Sequence, residues 1–161
     1  MKNSKSKKIA KIIFVILTVI TLAVIWGHSM VPPEGSTEES MFFKGIFDGM
    51  LHNVSGNSSF SIPEVLIRKS AHFSEYALLG AEFCILYLLF FSKPEHIRLF
   101  PLYLNMILAS LLVAMTDETI QYFSGRYSSV FDVWLDCLGA AVAIPLVYLL
   151  VRRFFISDKK K

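Results

Sequence analysis

Long apolar runs dominate the pattern of the chain. Four stretches consist mainly of apolar residues, at 12–27, 70–91, 99–116 and 133–151. A helix needs about 20 mostly apolar residues to cross the hydrocarbon core of a membrane. With their polar ends included, the runs predict four transmembrane helices at about 12–27, 62–91, 99–123 and 130–151. We therefore expect an all-α membrane protein that folds as a four-helix bundle.

The first run is the shortest and follows the lysine-rich segment "MKNSKSKK". A signal peptide has the same arrangement of charge and apolar residues. No small-x-small cleavage pattern follows "LAVIWGHSM", however. We therefore expect the run to be a permanent helix.

Composition supports this class. Of the 161 residues, 54% are hydrophobic and 14% aromatic, which is unusual for a soluble domain of this size. The length fits one membrane domain over 1–161. The net charge is only +3, and no basic patch interleaved with aromatic residues indicates a nucleic-acid partner.

The distribution of lysine and arginine predicts the orientation. These residues gather in the tail before the first helix, in the link between the second and third, and after the fourth. Four crossings place all three segments on one side, which the positive-inside rule makes cytoplasmic. We expect both termini in the cytoplasm and the loops 28–67 and 124–131 outside.

The long outer loop contains the segment "MFFKGIFDGML", residues 41–51, with Phe43 and Phe47 on one helical face. This pattern fits a short helix lying in the membrane interface. A loop packed over the bundle is the alternative. The segment "SIPE" that follows predicts a capping box, with Ser61 as N-cap and Glu64 at the third helical position.

Ionisable residues form a stripe on the second helix. Arg68, His72, Glu75 and Glu82, with Leu79 between the last two, follow one another at intervals of three or four residues along "RKSAHFSEYALLG" and beyond it. Charged groups inside a membrane protein usually face the interior of the bundle and mark a site. Glu82 lies near the midplane, where we expect it to be protonated or to bond Asn105 or Tyr87.

The third and fourth helices bring polar residues to the same outer level. These are Asp117, Glu118, Gln121, Arg126, Asp132 and Asp136. Gly125 is placed to stop the third helix, and Ser128 or Ser129 to cap the fourth. Gly139 and Ala143 extend the face of Asp136 as a smooth helix-packing stripe.

Two kinds of chemistry fit this polar layer. Glu75 with Asp117 or Asp136 fits an acid–base pair that shares one proton. His72 with Glu75, and with Asp117 or Asp132, fits a metal site of oxygen ligands and one imidazole.

A purely structural interpretation competes with both. The carboxylates then form salt bridges to Arg68 or Arg126, and Lys69 is an anchor at the membrane surface. We favour a site, because buried ion pairs are poor stabilisers by themselves. The metal site is the less favoured form of it, so no cofactor is expected.

Three blocks of the sequence resemble the VanZ-like membrane proteins. They are "SMVPPEGSTEES" (29–40), "IRKSAHFSEYALLG" (67–80) and "TDETIQYFSGRYSSVFDVWLDCLGA" (116–140). The matching positions are Arg68, Lys69, His72, Glu75, Tyr76, Gly80, Asp117, Glu118, Gln121, Gly125, Arg126, Asp132, Asp136 and Gly139. Ser124 stands where the family commonly has proline, which predicts a looser turn. The resemblance implies a bacterial cytoplasmic membrane protein that acts at the outer face in glycopeptide, especially teicoplanin, resistance.

Two functions remain open from the sequence. In the first, the protein binds or remodels an anionic lipid-linked cell-wall precursor, or the lipoglycopeptide itself. Arg68 and Arg126 clamp a phosphate or carboxylate, and Asp132 or Asp136 orients them. The ligand-binding residues are then Arg68, Glu118, Gln121, Arg126 and Asp136.

In the second, it is a small membrane enzyme, a hydrolase or transferase, acting on such a lipid. The catalytic residues are then His72, Glu75, Asp117 and Asp132, in acid–base or metal-assisted roles.

Overall fold

The computed structural model describes residues 2–55, 61–91 and 99–157, and every regular element in these parts is a helix. The helices are α1 (Lys2–Met30), α2 (Pro33–Ser55), α3 (Glu64–Phe91), α4 (Leu99–Phe123) and α5 (Val130–Ser157). Within the described parts there is no strand. The all-α expectation is confirmed.

Four of the helices are long and apolar enough to cross a membrane. These spans are Lys5–Met30, Glu64–Phe91, Leu99–Phe123 and Val130–Val151. The four predicted crossings are therefore confirmed, but the first helix is longer than the predicted 12–27. The prediction used the apolar run, which is bounded by lysines at its N-terminal side. Lysine is a good helix former, so the helix itself continues through these lysines.

The segment after α1 forms one long helix, α2, rather than a short helix over 41–51. Pro33 starts it, since proline is well suited to the first turn of a helix. The hydroxyls of Thr37 and Ser40 donate to the carbonyls of Pro33 (2.9 Å) and Ser36 (2.8 Å), so these polar side chains are satisfied within the helix. The alternative of a packed loop is wrong.

Asp48 of α2 holds the start of α3. Its carboxylate accepts hydrogen bonds from the Ser61 hydroxyl (2.9 Å) and the Ile62 N–H (2.8 Å), and Lys44 pairs with it at 2.5 Å. Lys44, and then the Ile62 and Ser61 bonds, lower the pKa of Asp48 to about 2. The predicted capping box is wrong, because Ser61 bonds Asp48 and Glu64 is the first residue of α3.

Small residues bring α3 and α5 close together. A Cβ atom on Gly80 would lie 2.8 Å from the Ala140 Cα, and one on Gly139 would overlap the Phe73 carbonyl oxygen. The predicted packing role of Gly139 is confirmed. Backbones can approach this closely only where side chains are absent or small. The residues through which α3 and α5 contact each other occur in the same order along both helices, so the two helices run parallel to each other.

The cysteines belong to the apolar core. Cys84 and Cys137 are free and buried. Cys84 packs among Leu102, Ile144 and other core residues. Their predicted role in core packing is confirmed.

Candidate functional site

The turn between α4 and α5 positions the first part of the site. Gly125 has a positive φ of 74°. The Arg126 N–H donates to the Gln121 carbonyl (3.0 Å) and the Gly125 N–H to the Tyr122 carbonyl (3.2 Å). This pair of bonds is a Schellman motif, which ends α4 where the sequence predicts.

Ser124 lies within this turn. Its N–H donates to the Ile120 carbonyl at 2.9 Å, a bond that proline cannot make. The turn is therefore fully hydrogen-bonded, and the looser turn expected at this position is not observed.

Ser129 starts α5. Its hydroxyl accepts the Phe131 N–H (3.1 Å), which is an N-cap bond. Its own N–H donates to Oε2 of Glu118 at 2.8 Å. Glu118, which was expected to bind ligand, is buried and ties the end of α4 to the start of α5.

Three side chains from three helices meet beside this turn: His72 of α3, Asp117 of α4 and Asp136 of α5. We call them the His–Asp cluster. His72 Nδ1 lies 3.8 Å from Oδ2 of Asp117 and 3.7 Å from Oδ1 of Asp136. Both aspartates are 0% exposed. All three were predicted site residues, and the structure brings them together.

Asp117 is held by neighbours, whereas Asp136 is not. The buried Ser29 hydroxyl donates to Oδ1 of Asp117, and Nε2 of Gln121 donates to its Oδ2 at 3.2 Å. Both oxygens of Asp136 and Nδ1 of His72 are buried without a hydrogen-bond partner among the described residues. Gln121 therefore orients Asp117, and Asp136 is left open to a further group.

The electrostatics of the cluster are unbalanced. Within the described residues, neither Asp117 nor Asp136 has a lysine or arginine nitrogen within 4.0 Å. Burying a carboxylate without a partner is costly, so such a pair requires a proton, an imidazolium or a bound cation. The cluster can thus hold a proton or a cation between its members.

Glu75 and Asp132 lie outside the cluster. Oε1 of Glu75 is 3.0 Å from Nδ1 of His28, and Asp132 pairs with Nζ of Lys69. The metal sets predicted from Glu75 or Asp132 are therefore not assembled. Asp136 is the carboxylate of α5 that lies beside His72, because it is one turn further along the helix than Asp132.

Lys69 is more than a surface anchor. Besides its pair with Asp132, its ammonium lies 5.3 Å from the centre of the Phe131 ring. It thereby connects α3 to the first turn of α5.

Among the described residues, the two arginines have no close ion pair. Arg126 donates from Nη1 to the His28 carbonyl at 2.8 Å. Arg68 pairs with Glu64 at a long 3.9 Å. The expected orientation of the arginines by Asp132 or Asp136 is wrong, since no such pair lies within 4.0 Å.

Arg126 is partly buried in the α4–α5 turn. Burial, followed by the positive charge of Arg68, lowers the pKa of Arg126. The positive charge of Arg68 thus acts on Arg126, and within the described parts of the chain no carboxylate lies closer than 3.9 Å to either guanidinium group.

Comparison with known proteins identifies the family of the chain. A family model described as VanZ/LLP1 matches residues 13–152, which is most of the chain. The chain belongs to the VanZ/LLP1 family. No similar curated protein and no similar solved structure was found. Within this VanZ/LLP1 chain, the matched range includes the His–Asp cluster and both arginines.

Sequence reasoning missed the polar contacts that α1 makes with the other helices of this VanZ/LLP1 protein. Besides Ser29 and His28, Thr21 donates to Oε1 of Glu82 at 2.9 Å. Glu82 therefore bonds Thr21 of α1, where a bond to Asn105 or Tyr87 was expected.

A signal in α1 could have found these residues. Thr18, Thr21, Ile25 and Ser29 recur at intervals of three and four residues. Three of them are buried, and Thr21 is partly buried. Polar residues on one face of an apolar helix usually point into a bundle.

Proposed function

We propose that this VanZ/LLP1 protein binds the phosphate of a lipid-linked cell-wall precursor at the outer face of the bacterial cytoplasmic membrane, and so contributes to teicoplanin resistance. Arg126 and Arg68 bind the phosphate. The His–Asp cluster lies beside them as part of the same polar layer.

One observation carries the proposal. Arg126 is partly buried, gives one N–H to a carbonyl, and is affected by the charge of Arg68 without a carboxylate within 4.0 Å among the described residues. Arg126 in this state, and Arg68, whose pair with Glu64 is long at 3.9 Å, gain from an anion that accepts their remaining N–H donors. Arginine suits phosphate because its planar fork makes two parallel hydrogen bonds.

The orientation supports an outer site. Lysine and arginine are concentrated in the two tails and in the 92–98 link, which the positive-inside rule makes cytoplasmic. The α4–α5 turn, with Arg126, then faces the outside, where cell-wall precursors and glycopeptides meet.

The test replaces each arginine by lysine. Arg68→Lys and Arg126→Lys keep the charge but lose the planar fork, so each should weaken binding about tenfold or more. Arg152→Lys, at the other end of α5, is the matched control. Binding of an undecaprenyl-phosphate lipid to purified protein is measured beside teicoplanin resistance at equal membrane levels.

The outcomes separate the sources of the anion. Lost lipid binding together with lost resistance supports the proposal. If lipid binding is unchanged and only binding of teicoplanin itself is lost, the ligand is the antibiotic. If both arginine variants match Arg152→Lys in every assay, the phosphate clamp is wrong.

A second candidate function is favoured by the His–Asp cluster. There the protein is a hydrolase or transferase that acts on the bound lipid, with His72 and Asp117 in acid–base roles. His72→Gln should then leave a folded protein that still binds the lipid but no longer converts it. Mass spectrometry of the lipid after incubation tests this, since a pure binding protein returns it unchanged.

A further inference from the structure

We propose that the His–Asp cluster is a binding site for a divalent first-row metal cation of the Zn²⁺ or Mn²⁺ type, with His72 Nδ1, Asp117 and Asp136 as ligands. This inference goes beyond the proposed function, because phosphate binding by Arg68 and Arg126 requires no metal.

The distances in the cluster fit a shared cation better than direct hydrogen bonds. An N–H···O bond spans about 2.7–3.2 Å, whereas the imidazole nitrogen lies 3.7 and 3.8 Å from the two carboxylates. Ligands bound at about 2.1 Å in a tetrahedral site are about 3.4 Å apart. One atom from each of the three residues already lies within 4.8 Å of the others. To complete the site, the two imidazole–carboxylate distances shorten from 3.7 and 3.8 Å, and the separation of the two carboxylates shortens from at most 4.8 Å, each to about 3.4 Å.

A second observation points to a missing partner. Asp136 is 0% exposed, and neither of its oxygens has a hydrogen-bond partner among the described residues. Its Oδ1 is the atom nearest to His72 Nδ1, which is also buried without a partner. A cation between these atoms satisfies both at once and offsets two buried negative charges.

The surroundings have features of a metal centre. Asp117 is fixed by Ser29 and Gln121, as ligating carboxylates usually are by a hydrogen-bonded outer layer. One imidazole with two carboxylates suits Zn²⁺ or Mn²⁺, because nitrogen and hard oxygen ligands are combined. His72 keeps 21% of its side chain exposed, so one member of the cluster reaches the surface of the bundle.

The experiment measures metal binding directly. The purified full-length protein in detergent is stripped with a chelator, and Zn²⁺ or Mn²⁺ is titrated back while bound metal and melting temperature are recorded. We expect about one ion per chain and a higher melting temperature. His72→Ala and Asp136→Asn should each weaken binding at least about tenfold to a hundredfold.

Glu82→Gln is the matched control. Glu82 of α3 is also a buried carboxylate, and one of its oxygens has no hydrogen-bond partner among the described residues, but it lies outside the cluster. It should bind metal like the parent. Equal loss in Glu82→Gln and Asp136→Asn overturns the assignment.

Metal binding by the parent protein tests the proposal even where a variant fails to fold. A parent that takes up neither Zn²⁺ nor Mn²⁺ near one ion per chain overturns the proposal and leaves a shared proton as the role of the cluster. If this metal-free parent still binds the phosphate lipid, the proposed function stands and only the metal site is wrong.

Discussion

Gly80 on α3 offers a quantitative test of the helix packing that supports the site. A Cβ atom at this position would lie 2.8 Å from the Ala140 Cα, 3.0 Å from its Cβ and 3.1 Å from its carbonyl oxygen. Two of these three atoms are backbone and cannot rotate away. To restore the ordinary contact distance of 3.4 Å, α5 must move away by about 0.6 Å.

The expected cost follows from that separation. Overpacking of this size costs about 1–3 kcal/mol. If α5 moves away by this distance, the other contacts between α3 and α5 each lose about a quarter or more of their dispersion energy. Alanine in place of glycine also gains about 1 kcal/mol of helix propensity. Gly27→Ala on α1 isolates the packing cost, because it has the same propensity gain and nothing lies within 4 Å of its added Cβ.

The assay is thermal unfolding of the two variants in the same detergent. Gly80→Ala should be less stable than Gly27→Ala by about 1–3 kcal/mol, at about 2–4 °C in Tm for each kcal/mol. Gly139→Ala should be at least as severe, since its Cβ would meet the Phe73 carbonyl oxygen and the Ala77 nitrogen. If Gly80→Ala melts at or above the temperature of Gly27→Ala, the close approach of α3 and α5 is refuted.

Further predictions concern topology, pH and the α4–α5 turn. Single cysteines at Ser4, Ser55 and Ser157 in a cysteine-free background should react with an impermeant reagent on intact cells only at Ser55; labelling at Ser4 would reverse the orientation. The folded-state pKa of Asp48 is lowered from 3.8 to about 2, so its stabilisation is complete above about pH 4 and is lost as the pH falls towards 2. The stability difference between the parent and Asp48→Asn should therefore shrink over that interval, and a difference independent of pH would contradict the assignment. Gly125→Ala should cost about 1 kcal/mol or more, because alanine is strained at a φ of 74°; unchanged thermal stability would argue against the Schellman turn.

The sequence predicted the helices better than their contacts. Apolar runs and the stop at Gly125 depend on local composition and backbone preference, and the structure agrees with them. The start of α2 was missed, since "VPPEG" has the composition of a loop although Pro33 fits the first turn of a helix.

Pairing of charges was the least predictable part. Asp132 and Asp136 share one face of α5, but they lie about 6 Å apart along its axis. Asp132 therefore meets Lys69, and Asp136 lies beside His72 one turn further on. Relative depth and rotation of two helices decide such pairs, and no single segment encodes them.

The contacts of α1 bear on how the protein is made. Ser29 bonds Asp117, and the His28 carbonyl bonds Arg126, across 88 and 98 residues of sequence. Glu75 and Glu82 of α3 are the earlier partners of His28 and Thr21, but Ser29 and the His28 carbonyl meet theirs only after α4 and the α4–α5 turn have been made. A nascent chain that stops short of Asp117 leaves both Ser29 and the end of α1 without these partners. Completion of the α4–α5 turn is thus the step that supplies the last of these partners and assembles this end of the bundle.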